Sequence, residues 1–407
     1  MSAVSFFRTP SLAALVAAVL AVAAAPVWAI PDAESFASCV SDLGSQARQA
    51  GVSGTVVSQS LAAISLNERV IELDRAQPEF TASFAGYFNT RMSERRIQRG
   101  REMYREHRTL LERIAREYGV PAQYLVAFWG METNYGSFFG RMSILDSLAT
   151  LACEGRRGAY FSTEFVNALR IIDEGAVTAE RMQGSWAGAM GHVQFMPSVF
   201  LQHAVDYDGD GRRDLWGSIP DAMASAANFL NAIGWQTGER WGREVRLPSS
   251  FPFEHAGLSQ RKTLTEWRQL GVRMADGSAL PNADMQASLL LPSGHRGPAF
   301  LVYDNFRVIM RWNRSEFYAL SVGHLADRIA GGGALTRAPV DAPRLHRDQV
   351  KQLQTLLNEK GHEAGDVDGI LGPGTRAAIS RYQREQGIVA DGFPDRAVLT
   401  RIGLELD

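Results

Sequence analysis

The stretch GGGALTRAPVDAPR, residues 331–344, divides the chain into two pieces that have to bury separate cores. Glycine ends the helix before it, and the Ala/Pro run that follows favours an extended connection. Beyond this linker lie only residues 345–407. In RDQVKQLQTLLNEKGH, Val350, Leu353, Leu356 and Leu357 form one helical stripe, and GTRAAISRYQREQG and DRAVLTRIG read as two further helices. That is a three-helix module with no His/Cys cluster at metal-ligand spacing.

The first piece opens on an apolar run. Arg8 is followed by SLAALVAAVLAVAAAPVWAIPDAESF, which is short for a membrane span and ends in small residues. It reads as a secretory signal over residues 1–29, cleaved after Ala29, with an uncleaved anchor as the alternative. Export makes the two cysteines interesting. Cys39 and Cys153 either form one disulfide or remain as two buried thiols, and spacing does not decide between them. A net charge of -2 gives no electrostatic footprint for nucleic acid.

Residues 32–120 read as helical, and SERRIQRGREMYREHRTLLERIAREYG carries Ile97, Tyr104, Leu111, Ile114 and Tyr118 as apolar members among Arg and Glu. Its charges form a solvated face with i,i+4 pairing. Helical patterning continues through residues 120–235. Between 240 and 305 it gives way to REVRLP, ASLLLP and AFLVYDNF, short β-forming runs that predict a small sheet inserted in a helical body. The fold class expected is therefore mainly α.

One carboxylate interrupts the helical apolar pattern. Pro121 suits a first helical turn, and Leu125, Phe128, Trp129 and Glu132 then fall at i, i+3, i+4 and i+7, with Gly136 as the stop. Glu132 therefore continues an apolar stripe at the negative end of its own helix dipole. Desolvation and the dipole both raise its pKa, which suits a general acid. The alternative is a glutamate at a frayed helix end facing water. A second segment, GSWAGAMGHVQFMPSVF, interleaves Ser185, Gln194 and Ser198 with small and aromatic residues. Close helix packing explains the small residues but not the polar groups able to bind a sugar.

The segments METNYGSFFG, GSWAGAMGHVQFMPS, DYDGDGRRDLW and RWNRSEFYALSVGHLADRI occur in this order. Together they resemble the soluble-type lytic murein transglycosylases of the membrane-bound transglycosylase B family, over nearly all of residues 33–330. The resemblance implies a lysozyme-like helical domain, here residues 30–330, with Glu132 as sole catalytic acid/base. It implies that Ser185, Gln194, Asn313, Tyr318, Tyr87 and Tyr160 line a sugar groove. Trp312 stands where relatives can have Tyr, which leaves the hydroxyl contact at that position open.

The implied reaction cleaves the β-1,4 bond between N-acetylmuramic acid and N-acetylglucosamine in peptidoglycan. Glu132 protonates the bridging oxygen, then takes the proton of the C6 hydroxyl as that oxygen attacks C1, leaving a 1,6-anhydro end. No cofactor is needed for catalysis. A hydrolytic muramidase would instead need a second carboxylate, for which Asp146 is the nearest candidate, although Ser143 and Ser147 beside it point to an ordinary helix-start role. A wall-binding scaffold without activity is a third reading, and the intact Glu132, Ser185 and Gln194 set argues against it.

In DYDGDGRRDLWGSIPD, Asp206, Asp208 and Asp210 stand at i, i+2, i+4 with Gly211 at the sixth position, the first half of an EF-hand-like calcium loop. The carbonyl of Arg212 would be a fourth ligand. Gly217 stands where the usual Glu would be; Asp214 and Asp221 are the substitutes, and the resemblance favours Asp221. The expectation is a structural calcium; the alternative is a metal-free Asp/Gly turn.

GDVDGILGPGTRAAISRYQREQGIVADGFPD resembles the type 1 peptidoglycan-binding domain, with Asp368, Gly369, Gly372, Pro373, Thr375 and Ala378 matching its motif. Asp366 and Asp368 imitate a metal loop, but the turn is short enough to read as capping. The expected partners are peptidoglycan glycan strands, with other cell-wall enzymes as candidates. The expected protein is a monomer in the periplasm or cell-wall compartment.

Overall fold

The computed structural model describes residues 30–76 and 83–406. The signal-peptide expectation for residues 1–29 falls outside the described residues. Among the described residues, seventeen α-helices and two small antiparallel sheets make the fold mainly α, as the patterning predicts.

The helix Ala122–Thr133 runs through the middle of the main core. Its apolar stripe understates its burial: Tyr124, Leu125, Val126, Ala127, Phe128 and Trp129 are all buried, on every side of the helix. A helix apolar all round belongs inside a bundle. Around it pack Glu94–Glu106, Arg108–Tyr118, Ile219–Ala232 and Glu316–Ile329. The Arg/Glu-rich segment is two helices rather than one. It breaks at His107, which caps the first with φ −104° and ψ 18°. Ile97, Leu111 and Ile114 are fully buried, so both halves keep their apolar face inward.

Cys39 of the helix Ala33–Gln49 and Cys153 of the helix Ile144–Glu154 form a disulfide, which resolves the alternative left by the sequence. The five-stranded sheet has the order Lys262–Thr263, Gln286–Leu290, Ala299–Val302, Gly242–Arg246, Arg273–Met274. Its three longer strands are the three β-forming runs. It builds its own core around Trp267, Leu289 and Leu301.

The last core gathers Val350, Leu353, Leu357, Ile379, Tyr382 and Leu399 from the helices Arg347–Glu359, Pro373–Glu385 and Arg396–Ile402. Residues 332–344 form neither helix nor strand, but they are not a free tether. Leu335 packs on the main core, the Thr336 amide and hydroxyl donate to Glu244, and Asp341 accepts from Ser83 at 2.6 Å. The terminal module also docks directly. His295 donates its amide to Asp391 at 2.9 Å, and Arg296 pairs with Asp395 at 2.9 Å.

Candidate active site

Glu132 sits in the last turn of its helix, which is stopped by Asn134 rather than by Gly136. Asn134 and Tyr135 both adopt left-handed backbone conformations, with φ of 49° and 62°. Left-handed residues are costly outside glycine, so side-chain contacts have to hold them. Tyr135 donates its hydroxyl to the Arg96 carbonyl at 2.8 Å and packs edge-on to Trp129. Thr133 donates to the His192 carbonyl at 2.9 Å and accepts from the Gly136 amide at 3.0 Å. Gly136 has a packing role: a Cβ there would stand 2.4 Å from the His192 ring. Gly130 likewise leaves room for the Tyr135 ring, which a Cβ would meet at 2.6 Å.

His192 accepts from the Trp129 indole through Nδ1 at 2.9 Å. Burial lowers its pKa to about 4, so it stays neutral and keeps that acceptor. Thr133, Trp129 and His192 thus lock the glutamate helix to the loop that carries Gln194. Thr133 and His192 were not singled out by the sequence; their only signal was that Thr133 follows Glu132 and His192 lies two residues before Gln194.

Two neutral donors converge on one oxygen of Glu132. The Trp312 indole nitrogen donates to Oε1 at 2.9 Å, and the Tyr318 hydroxyl donates to the same atom. Trp312 therefore supplies through its indole N–H the contact left open at that position. Among the described residues no hydrogen bond ends on Oε2. Desolvation raises the Glu132 pKa to about 7 against the opposing pull of these two donors. No acidic neighbour among the described residues contributes to that rise.

Tyr87 is buried beside this group, its pKa pushed up to about 12 by burial, and Arg91 lies over its ring at 3.7 Å. Gln194, with φ of 50°, donates to the carbonyls of Phe139 and Gly191 at 3.1 and 3.0 Å. It is fixed by the loop that follows the acid. Ser185 accepts from the Ala189 amide at 3.0 Å and closes its own turn. Asn313 is exposed next to Trp312, and its side chain accepts from the Ser315 amide at 3.2 Å. Tyr160 is 48% exposed in the helix Gly158–Asp173, edge-on to Phe161. Asp146 is not drawn to Glu132. Ser143 caps the start of its helix by accepting from the Asp146 amide, and the Asp146 carboxylate accepts from the Ser65 amide at 3.0 Å, the helix-start role its serines predict.

In the aspartate loop, oxygens of Asp206, Asp208 and Asp210 lie within 4.8 Å of one another and are exposed. Asp221 is not in that cluster, contrary to the expectation that it completes the ligand set. It is fully buried, and its two oxygens accept from the amides of Tyr207, Asp208 and Asp214. Asp214 is likewise occupied by the amides of Trp216 and Gly217. The remaining donor set, three carboxylates and a carbonyl, fits a hard divalent cation. Asp366 and Asp368 form no such cluster; Asp368 accepts from Gln354 and from the Ile370 amide.

The transglycosylase SLT domain model matches residues 35–327. The chain belongs to that family. A peptidoglycan binding domain model matches residues 346–402. Membrane-bound lytic murein transglycosylase B of Escherichia coli K12 is 35% identical over 243 residues, which cover 58% of this chain and 64% of that protein. The match thus spans slightly less than two thirds of that relative. The crystal structure of SltB3 from Pseudomonas aeruginosa in complex with NAG-NAM-pentapeptide is 46% identical, covers 91% of this chain and 100% of its own, and has a TM-score of 0.88. The Escherichia coli lytic transglycosylase Slt35 in complex with calcium is 28% identical, covers 72% and 92%, and has a TM-score of 0.63. This member of the family is thus a lysozyme-like helical protein with a peptidoglycan-binding module behind it. Among its described residues no helix is long and apolar enough to cross a membrane.

Proposed function

We propose that the protein is an exported lytic transglycosylase that cuts the β-1,4 bond between N-acetylmuramic acid and N-acetylglucosamine and leaves a 1,6-anhydro end. The observation that carries this reading is Glu132: a desolvated carboxyl held by two uncharged donors, with no acidic neighbour contributing to its raised pKa. One carboxyl can serve both steps. Protonated, it delivers its proton to the bridging oxygen. As carboxylate, with its charge held by Trp312 and Tyr318, it accepts the C6 proton while O6 bonds to C1. Tyr87, Tyr160, Ser185, Gln194, Asn313 and Tyr318 are the groove residues of this reading, and residues 345–407 hold the wall.

Calcium, held by Asp206, Asp208, Asp210 and the Arg212 carbonyl, would supply charge neutralisation to the loop. Asp221 instead holds the loop backbone from behind. The disulfide fits an oxidising compartment, consistent with export. Digestion of purified peptidoglycan in oxygen-18 water tests the chemistry. Unlabelled products are expected, and label at the new reducing end means hydrolysis.

A further inference from the structure

Glu132 has two oxygens, and the protein treats them differently. The Trp312 indole reaches Oε1 at 2.9 Å and Tyr318 reaches the same atom, while Oε2 receives no donor among the described residues. A carboxyl proton and two donated hydrogens cannot share one oxygen comfortably. The indole is also held unusually firmly. Its ring centroid stands 4.5 Å from Phe128, 5.4 Å from Phe195 and 5.3 Å from Phe229, three rings from three different segments. Phe128 belongs to the helix of the acid, and Phe195 follows Gln194 directly.

We propose that Trp312 is a positioning residue of the reaction: its indole N–H, with the Tyr318 hydroxyl, holds Oε1 and so assigns the exchangeable proton to Oε2. This rests on the acid/base role of Glu132 given above. In the first step the proton on Oε2 passes to the glycosidic oxygen as the bond from C1 to that oxygen breaks. The negative charge left behind is held by the two donors on Oε1. In the second step Oε2, which carries no competing donor, takes the proton from the C6 hydroxyl as the O6–C1 bond forms, and the carboxyl is restored. The aromatic triad fixes the ring so that the donor does not have to be recruited during turnover.

The groups that titrate around Glu132 are silent in the working range. The two tyrosines that feel its charge are Tyr318, whose pKa burial raises well above its usual value, and Tyr87, at about 12. Arg91 and Arg96 pull the Tyr87 pKa down against its burial, and His192 stays neutral. The alkaline limb of kcat/KM therefore reports Glu132 itself.

The test replaces the Trp312 indole by benzothiophene, which exchanges N–H for sulfur and keeps the ring, alongside Trp312→Phe. A hydrogen bond to a charged group is lost, so the alkaline limb moves up by about one pH unit. The carbon-13 titration of the Glu132 carboxyl shows the same displacement without turnover. Trp312→Phe shows it too, so the result stands even if the isosteric protein does not fold. A limb that stays in place while the rate falls equally at every pH overturns the proposal and reduces Trp312 to packing. Hydrated products from the unaltered protein would instead contradict the transglycosylase reading, a separate outcome.

Discussion

Thr133 donates its hydroxyl to the backbone carbonyl of His192 at 2.9 Å, across 59 residues of sequence. The bond ties the residue next to Glu132 to the loop that holds Gln194. Thr133→Val keeps the shape and removes the donor. It leaves the His192 carbonyl and the Gly136 amide without their partner inside the core, at a cost of about 1–3 kcal/mol. Thermal unfolding should show that loss, kcat should fall with it, and Thr133→Ser should restore both.

The raised pKa of Glu132, about 7, fixes a pH dependence. The free enzyme needs the protonated acid, so kcat/KM should hold below pH 7 and fall about tenfold per unit above it. Stability follows the same group. Its folded pKa lies above its unfolded value, so its contribution is full below the usual carboxylate range and is lost as pH rises through about 7. Glu132→Gln keeps an oxygen for Trp312 and Tyr318 and cannot ionise. It should gain melting temperature relative to the unaltered protein above pH 7, and a parallel pH profile for the two would contradict this.

For the aspartate loop, EDTA should lower the melting temperature and calcium should restore it. Asp206→Asn removes a carboxylate whose oxygens also accept from the amides of Gly209, Asp210 and Gly211. In that variant the calcium-dependent part of the shift should shrink. Unchanged melting under chelation contradicts a metal site.

The terminal module is held to the body through Asp391, which accepts from the His295 amide, and Arg376 of the module feels the opposite charges of Glu316 and Asp391. Glu316 stands two residues before Tyr318 in the chain. Arg376→Ala should loosen the docking. Small-angle scattering should then report a larger radius of gyration, with the far-ultraviolet spectrum unchanged.

How much of this was legible in the sequence depends on range. Helix and strand periodicity located the three β-forming runs and the three terminal helices, because each depends on residues within one segment. The same patterning missed the break at His107 and took Gly136 for the stop that Asn134 provides, since both are settled by contacts outside the helix. Tyr135 is held by Arg96, and Gly136 is required by the His192 ring. Asp221 shows the same limit. Its place in the aspartate loop suits a ligand, yet the fold turns it inward to three backbone amides. Trp312 lies 180 residues from Glu132, and no local pattern marks an indole as a donor to a distant carboxylate.

Glu132 alone is proposed to carry cleavage without water. The most direct measurement is mass spectrometry of muropeptides released from purified peptidoglycan by the mature protein and by Glu132→Gln. Fragments one water lighter than hydrolysis products, absent with the variant, are the predicted result. Fragments with hydrated, reducible ends, or undiminished release by Glu132→Gln, would contradict it.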